Sequence, residues 1–275
     1  MDVFTAILAL LGRAFPGLKE RFWRRVYERM ARDDDGAWQF MNYGFDDPAV
    51  PRPALDPVEE PDRYGIQLYR HVASGADLRG KQVLEVGSGR GGGAAYLARA
   101  FRPRVFVGVD LSPRAASLCR RRVTGAAFLA GNAQALPFPG GVFDAVINVE
   151  SSHCYADMAA FVREVYRVLR PGGVLLYADL RFGPAAGRLA AQLAAAGFGI
   201  VRAENITAAV VRALRLDTPR RAIMIRRKVP PLLRAAAAAF AGLEGTPFFR
   251  RLERGEGVYL SFVLRKPAEG EAPSG

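Results

Sequence analysis

The stretch "INVESSHCY", Ile147 to Tyr155, closes an apolar run with Glu150, Ser151, Ser152, His153 and Cys154. Polar side chains at the end of a buried strand need a use, because burying them unpaired is costly. Histidine titrates near neutral pH, so His153 is suited to taking or giving a proton. A second constellation is the loop "EVGSGRGGG", which follows an apolar run and opens a helical pattern. Gly87 and Gly89 let the backbone turn tightly and approach a ligand closely. Gly87, Gly89 and Gly92 also match the dinucleotide pattern G-x-G-x-x-G. Three details argue for a different cofactor. Glu85 lies inside the strand, Asp110 ends the next strand where a carboxylate can accept both hydroxyls of a ribose, and "GNAQALPFPGG" then supplies Asn132 and Ala133.

The elements that must position these groups follow a βα rhythm from Lys81 onward. "KQVLEVG", "RVFVGVD", "AAFLAG", "VFDAVINVE" and "GGVLLYADLR" read as buried strands. Helical patterns over Gly92–Phe101, Pro113–Val123 and Met158–Arg170 separate them, and Pro171 stops the last. Pro113 and Pro184 suit the first turns of helices. Beyond them we expect a helix near Ala185–Ala196, a strand near Gly199–Arg202 and a basic helical insert around Ile206–Phe240. "GVYLSFVLRK" reads as the last strand. Alternating strands and helices predict a parallel sheet covered on both faces, with ligands beyond the carboxyl ends of its strands.

"VLEVGSGRGG", "VGVDLS", "GNAQALPF", "FDAVINVE" and "VLRPGG" stand in the order and spacing of class I S-adenosylmethionine (SAM)-dependent methyltransferases. The resemblance implies an α/β, Rossmann-like fold. Its sheet is seven-stranded and mostly parallel, with the last strand antiparallel. It also implies that Gly87 and Gly89 face the methionine part of SAM, and Glu85 and Asn148 are further cofactor-binding candidates. Asp110 would hold the ribose, with Leu111 beside the adenine and Asn132 and Ala133 at its amino group. Asn132 stands where aspartate is usual, so that contact loses charge assistance. A narrower set, "GKQVLEVGSGRGGGAAYLAR", "NVESSHCY", "EVYRVLRPGG" and "YADLR", resembles the mycobacterial phthiotriolone and phenolphthiotriolone dimycocerosate methyltransferases, which methylate a hydroxyl on a long lipid.

The resemblance gives the opening stretch its chemistry. A hydroxyl attacking a sulfonium methyl group must lose its proton, and His153 is the candidate base, the alternative being that it only hydrogen-bonds its loop. Glu150 would orient that ring or meet the SAM amino group. Tyr155, Tyr43 and Trp38 would line the acceptor pocket; the front aromatics, with Phe40 and Phe45, either form a lid or simply pack on the sheet. Cys154 reads as a small buried residue and His71 as structural. The expected activity is O-methylation of a polyketide- or lipid-like hydroxyl. The alternatives are C- or N-methylation on the same scaffold, or a non-methylating cyclase of the same fold.

The remaining bounds are broader. The chain has 275 residues, half of them hydrophobic, a formal charge of +12, two cysteines and two histidines. So few cysteines and histidines fit a reduced, cytoplasmic setting and leave no metal cluster to expect. The arginines are scattered and lack an aromatic-basic motif, so no nucleic-acid partner is expected. Residues 1–80 read as an N-terminal helical cap and a Pro-rich linker, with "LKERFWRRVYERMAR" the clearest helix. Residues 81–268 read as the catalytic domain and 269–275 as a disordered tail. Residues 1–30 join an apolar to a basic aromatic helix, either a cap over the site or a peripheral membrane contact.

Overall fold

A computed structural model describes residues 38–271. The helix expected over residues 18–32, the proposed membrane contact in residues 1–30 and the last four residues of the tail lie outside them. Seven strands form one sheet in the order β3-β2-β1-β4-β5-β7-β6. β1 (Gln82–Val86), β2 (Val105–Asp110), β3 (Ala127–Ala130), β4 (Phe143–Val149) and β5 (Leu169–Phe182) run parallel. β7 (Gly257–Arg265) lies between β5 and β6 (Gly199–Asn205) and is antiparallel to both. The chain moves outward from β1 to β3, then returns to place β4 on the other side of β1. This reversal opens a crevice at the carboxyl ends of β1 and β4, where ligands bind in sheets of this kind.

Four helices follow the expected pattern: α1 (Arg63–Ala73) before the sheet, then α2 (Gly92–Phe101), α3 (Pro113–Arg122) and α4 (Met158–Val168). Ser112 caps α3 by accepting from the Ala115 N–H, and Asp157 caps α4 through Ala160. α4 stops two residues earlier than its periodicity indicates. Leu169 is already extended and pairs with Phe143, because Pro171 disfavours helical geometry at the residue before it and the strand offers Leu169 full burial. Likewise β6 runs to Asn205, beyond the expected Arg202, because residues 203–205 find partners on β7.

The later helices are α5 (Pro184–Ala194), α6 (Thr207–Lys228), α7 (Arg234–Phe240) and α8 (Pro247–Glu253). α8 lacks any sequence expectation; Thr246 caps it, accepting from the Phe249 N–H. One face of the sheet buries Leu68 and Val72 of α1, Leu97 of α2 and Leu214 of α6. The other buries Phe161 and Val165 of α4 and Leu189 and Leu193 of α5. In front of α1 the chain is largely irregular. Its Phe45 and Asp46 bond to the backbones of Tyr64 and Ala209, and Arg52 and Arg212 both pair with the buried Asp46 carboxylate.

α1 and α2 meet so closely that only glycine fits at the contact. A Cβ on Gly93 would lie 2.1 Å from the Tyr69 ring, whose hydroxyl donates to Glu85 within β1. Gly93→Ala is therefore expected to destabilise the fold by about 1–3 kcal/mol through overpacking, read as a lower midpoint in chemical denaturation with an unchanged slope. An unchanged midpoint would mean that α1 is not packed on α2 in this way.

Candidate active site

The crevice between β1 and β4 opens into a cleft lined by the loops after β1, β2 and β4. Its floor is the loop after β1. Gly87 has a φ of +83°, and a Cβ there would sit 2.3 Å from Ser151 Oγ, so close approach of the β4 loop requires glycine. Gly89 also lines the cleft, and its N–H donates to Asp110 Oδ2 at 2.8 Å. Asp110 Oδ1 accepts from the Ser112 N–H at 2.8 Å. Each oxygen of this carboxylate retains a second lone pair, and the residue borders the cleft. Burial pushes Asp110 up to about 6, against the two N–H bonds that favour its charged form.

The remaining cofactor candidates divide. Leu111, Asn132 and Ala133 line the cleft. The Asn132 oxygen assigned to the adenine amino group already accepts from Gln134 N–H groups, and Gln134 also lines the cleft. Glu85 and Asn148 do not line it. Glu85 is buried behind Tyr69, and burial pushes its carboxyl up to about 8. Asn148 is a brace: its Nδ2 donates to Val86 O at 2.9 Å and reaches Ser151 Oγ and Tyr155 Oη. It ties the end of β1 to the loop beyond β4.

The stretch that opens at Glu150 splits its residues between two places. Glu150, Ser151, Cys154 and Tyr155 border the cleft, whereas His153 is not among its lining residues. Glu150 holds a φ of +50°, a left-handed conformation unusual for a residue with a side chain. Its Oε2 accepts from the Tyr43 N–H at 2.8 Å and from Tyr259 Oη at 2.9 Å. Burial pushes Glu150 up to about 8, above what those bonds and His153 take back. It does not orient the His153 ring, as one sequence reading has it. Asp179 does, with Oδ1 2.8 Å from His153 Nδ1 and Oδ2 accepting from the His153 backbone N–H at 2.9 Å.

Asp179 is fully buried yet charged. Burial alone would raise its pKa, but His153, Arg181 and Ser152 outweigh it and hold the carboxyl well below the usual carboxylate range. Ser152 Oγ donates to Asp179 at 2.6 Å, and Arg181 reaches both Ser152 and Tyr177. Burial pulls His153 down, but Cys154 and Asp179 reverse this, so the imidazole titrates well above its usual 6.5. With 28% of its side chain exposed, His153 remains able to exchange protons. Asp179 was not a sequence candidate, although a carboxylate ending an apolar strand is the same signal that marks Asp110.

The front aromatics do not act as one lid. Trp38 packs with Ile225, Ala241 and Leu243 beside α6 and α7, away from the cleft. Tyr43 donates its hydroxyl to Phe240 O and packs on Phe248. Phe45 stacks on His71, which stands 3.3 Å from Glu204. Only Phe40 of these lines the cleft, together with Gln39, Met41 and Asn42. This extended strip closes one side of the cleft, and the sequence gives no periodic signal for it. Among the described residues no group of His, Cys, Asp and Glu could hold a metal ion, and no helix is long and apolar enough to cross a membrane.

The cleft offers an acceptor for the ribose hydroxyls of SAM. The half-buried Asp110 carboxylate, with spare lone pairs, borders it, and a glycine loop leaves its floor open. Comparison with known proteins agrees. Residues 84–177 match the family model described as a methyltransferase domain. The chain is 41% identical over 241 residues to the probable phthiotriol/phenolphthiotriol dimycocerosates methyltransferase 2 of Mycobacterium ulcerans (strain Agy99), covering 86% of this chain and 93% of that protein. It is also 41% identical over 248 residues to the fatty-acid O-methyltransferase of Mycolicibacterium smegmatis, with 89% of each covered. A solved geranyl diphosphate C-methyltransferase from Streptomyces coelicolor A3(2), in complex with Mg2+, geranyl diphosphate and S-adenosyl-L-homocysteine, superposes with a TM-score of 0.64 at 16% identity, over 89% of this chain and 98% of that one. The chain thus belongs to the family of the phthiotriol/phenolphthiotriol dimycocerosates methyltransferases and is a SAM-dependent methyltransferase.

Proposed function

We propose that this enzyme methylates a hydroxyl oxygen of a lipid- or polyketide-like acceptor. The observation that carries the reading is the His153–Asp179 pair at the carboxyl ends of β4 and β5, next to cleft residues Glu150 and Cys154. The names of the two relatives, one acting on phthiotriols and one on fatty acids, support a hydrophobic acceptor. SAM, when bound, supplies an electrophilic methyl group. Asp110 holds the ribose hydroxyls, and Gly87 and Gly89 leave room for the methionine part. His153 takes the acceptor's proton at Nε2, the ring nitrogen turned away from Asp179, while Asp179 fixes the ring and balances the imidazolium. Positioning of the acceptor against the methyl group contributes much of the rate. Glu150, largely neutral below about 8, lies where it can touch the cofactor's amino group or the acceptor.

A second reading has its own support. An imidazole that titrates well above 6.5 is a cation at neutral pH. A cation suits a carboxylate acceptor, which has no proton to lose, and one relative is a fatty-acid O-methyltransferase. There His153 would anchor the carboxylate rather than act as a base.

The two readings have opposite pH signatures. A base must be deprotonated, so turnover on a hydroxyl acceptor is expected to rise with pH through a value above 6.5. Asp179→Asn, which removes the charge that stabilises imidazolium, should move that limb downward. His153→Ala should cost about 10²–10⁴-fold in kcat. For a carboxylate acceptor, KM should instead climb as His153 loses its charge, with kcat nearly unchanged in His153→Ala. Steady-state profiles over pH 6 to 10 with a fatty alcohol and a fatty acid decide between them. A His153→Ala enzyme with wild-type parameters on both acceptors would sink both.

Cofactor binding gives an independent test. Asp110→Ala is expected to weaken SAM by about 1–3 kcal/mol, the worth of charge-assisted hydrogen bonds, measured by titration calorimetry. Wild-type affinity should also fall as pH drops through about 6, where Asp110 gains a proton, and the variant should lose that dependence. Equal affinity of the two proteins at pH 8 would remove Asp110 from the ribose site.

A further inference from the structure

The corner between α6 and α7 exposes apolar side chains that no part of the described fold covers. Leu232 is 93% exposed and Leu233 56%. They sit on a 3-10 turn, Pro231–Leu233, behind Pro230. The bend is clamped: Arg234 Nε donates to Val229 O at 3.0 Å, and its Nη2 donates to Arg226 O at 2.9 Å. The two leucines are therefore held out in water instead of folding back onto α6. Arg226, Arg227 and Lys228 stand exposed just before the turn, with Ile223, also exposed, one helical turn behind them. From Thr218 to Leu243 the chain carries six basic residues and no acidic one. Arg226 and Arg227 have no acidic partner among the described residues.

We infer that this corner docks the enzyme on an anionic lipid surface, with Leu232 and Leu233 inserted among the acyl chains and Arg226, Arg227 and Lys228 against the headgroups. The exposure favours a bilayer over a folded partner, because Leu232 stands almost wholly in solvent on a short turn, and a fluid hydrocarbon layer accepts such side chains without a matching pocket. The charge disfavours a second copy of this chain, since two such basic collars would repel. The corner is also coupled to the cleft. Arg221, one of the buried residues of α6, donates to the carbonyl of Asn42 at 2.9 Å, and Asn42 lines the cleft. Seven residues of helix separate Arg221 from Lys228, about 10 Å along the axis. A lipid-like acceptor leaving the bilayer would thus meet the cleft close to the docked surface.

The test is co-sedimentation of the full chain with vesicles of pure phosphatidylcholine and of phosphatidylcholine with about a third phosphatidylglycerol. Wild-type protein should bind only the anionic vesicles, and less as salt rises. Leu232→Ser/Leu233→Ser should weaken partitioning at least about tenfold, and Arg226→Ala/Arg227→Ala roughly 30-fold. Both variants should keep wild-type SAM affinity and thermal stability, since neither pair belongs to the cleft or the core. A dye attached at Leu232→Cys should shift to the blue with anionic vesicles alone. Absence of wild-type binding overturns the docking role. So do double variants that bind like wild type, and binding lost on deletion of residues 1–30 but kept in the leucine variant. A wild-type dimer in sedimentation velocity that becomes monomeric in the leucine variant would reassign the corner to self-association.

Discussion

Three carboxylates stand along one edge of the sheet, Asp179 buried and Asp110 and Glu150 half-buried, and the partners given to each decide its charge. Asp110 meets two backbone N–H groups, which only partly offset burial. Glu150 meets one N–H and a tyrosine hydroxyl, and burial prevails, so it is largely a neutral acid at pH 7. Asp179 meets an imidazole, a guanidinium and a serine, and it stays ionised. The parallel sheet makes this possible. Its strands deliver their ends to the same edge, so carboxylates far apart in sequence lie beside one crevice. Their differing partners let one edge hold a sugar-binding anion, a neutral acid and a proton-transfer pair.

The loop beyond β4 is the joint on which that edge turns. Asn148 anchors it to the end of β1, Ser151 fills the space that Gly87 leaves, and Tyr155 closes the hydrogen-bonded triangle with Ser151 and Asn148. The left-handed backbone at Glu150 then sends the following residues toward β5, where Ser152 and His153 meet Asp179. Strain of this kind persists only when its surroundings hold it in place. Here a backbone bond from Glu150 N to Ala178 O and the two bonds to its carboxylate do so. One short loop thereby serves the cofactor cleft on one side and the proton-transfer pair on the other.

The opposite wall comes from the front of the chain, and it is held from outside the sheet. Asn42 is gripped by Arg221, whose guanidinium also meets Asp217 and Ala241 O. Tyr43 is tied to Glu150 and to the end of α7. The insert between β6 and β7 therefore does more than lengthen the fold. It clamps the strip that closes the cleft, so that changes at the insert can reach the site through a continuous run of polar contacts.

The local signals in the sequence were sufficient for the sheet. Apolar runs and prolines located each strand and most helices, because burial on both faces leaves strands little freedom of composition. The same signals located the glycine loop, Asp110 and the stretch from Glu150 to Tyr155, each at the end of a strand where parallel topology puts ligands. The tertiary structure decided which of these groups touch one another. It gave His153 to Asp179 and Glu150 to Tyr43 and Tyr259. It withdrew Glu85 and Asn148 behind the wall of the cleft, and it moved Trp38 and Tyr43 away from the lining in favour of Phe40 and Asn42. Hydrogen bonds between residues such as Glu150 and Tyr259, separated by 109 positions, leave no periodic trace. Whether a buried carboxyl is an acid or an anion depends on those long-range partners, and so could be read only once the chain had folded around it.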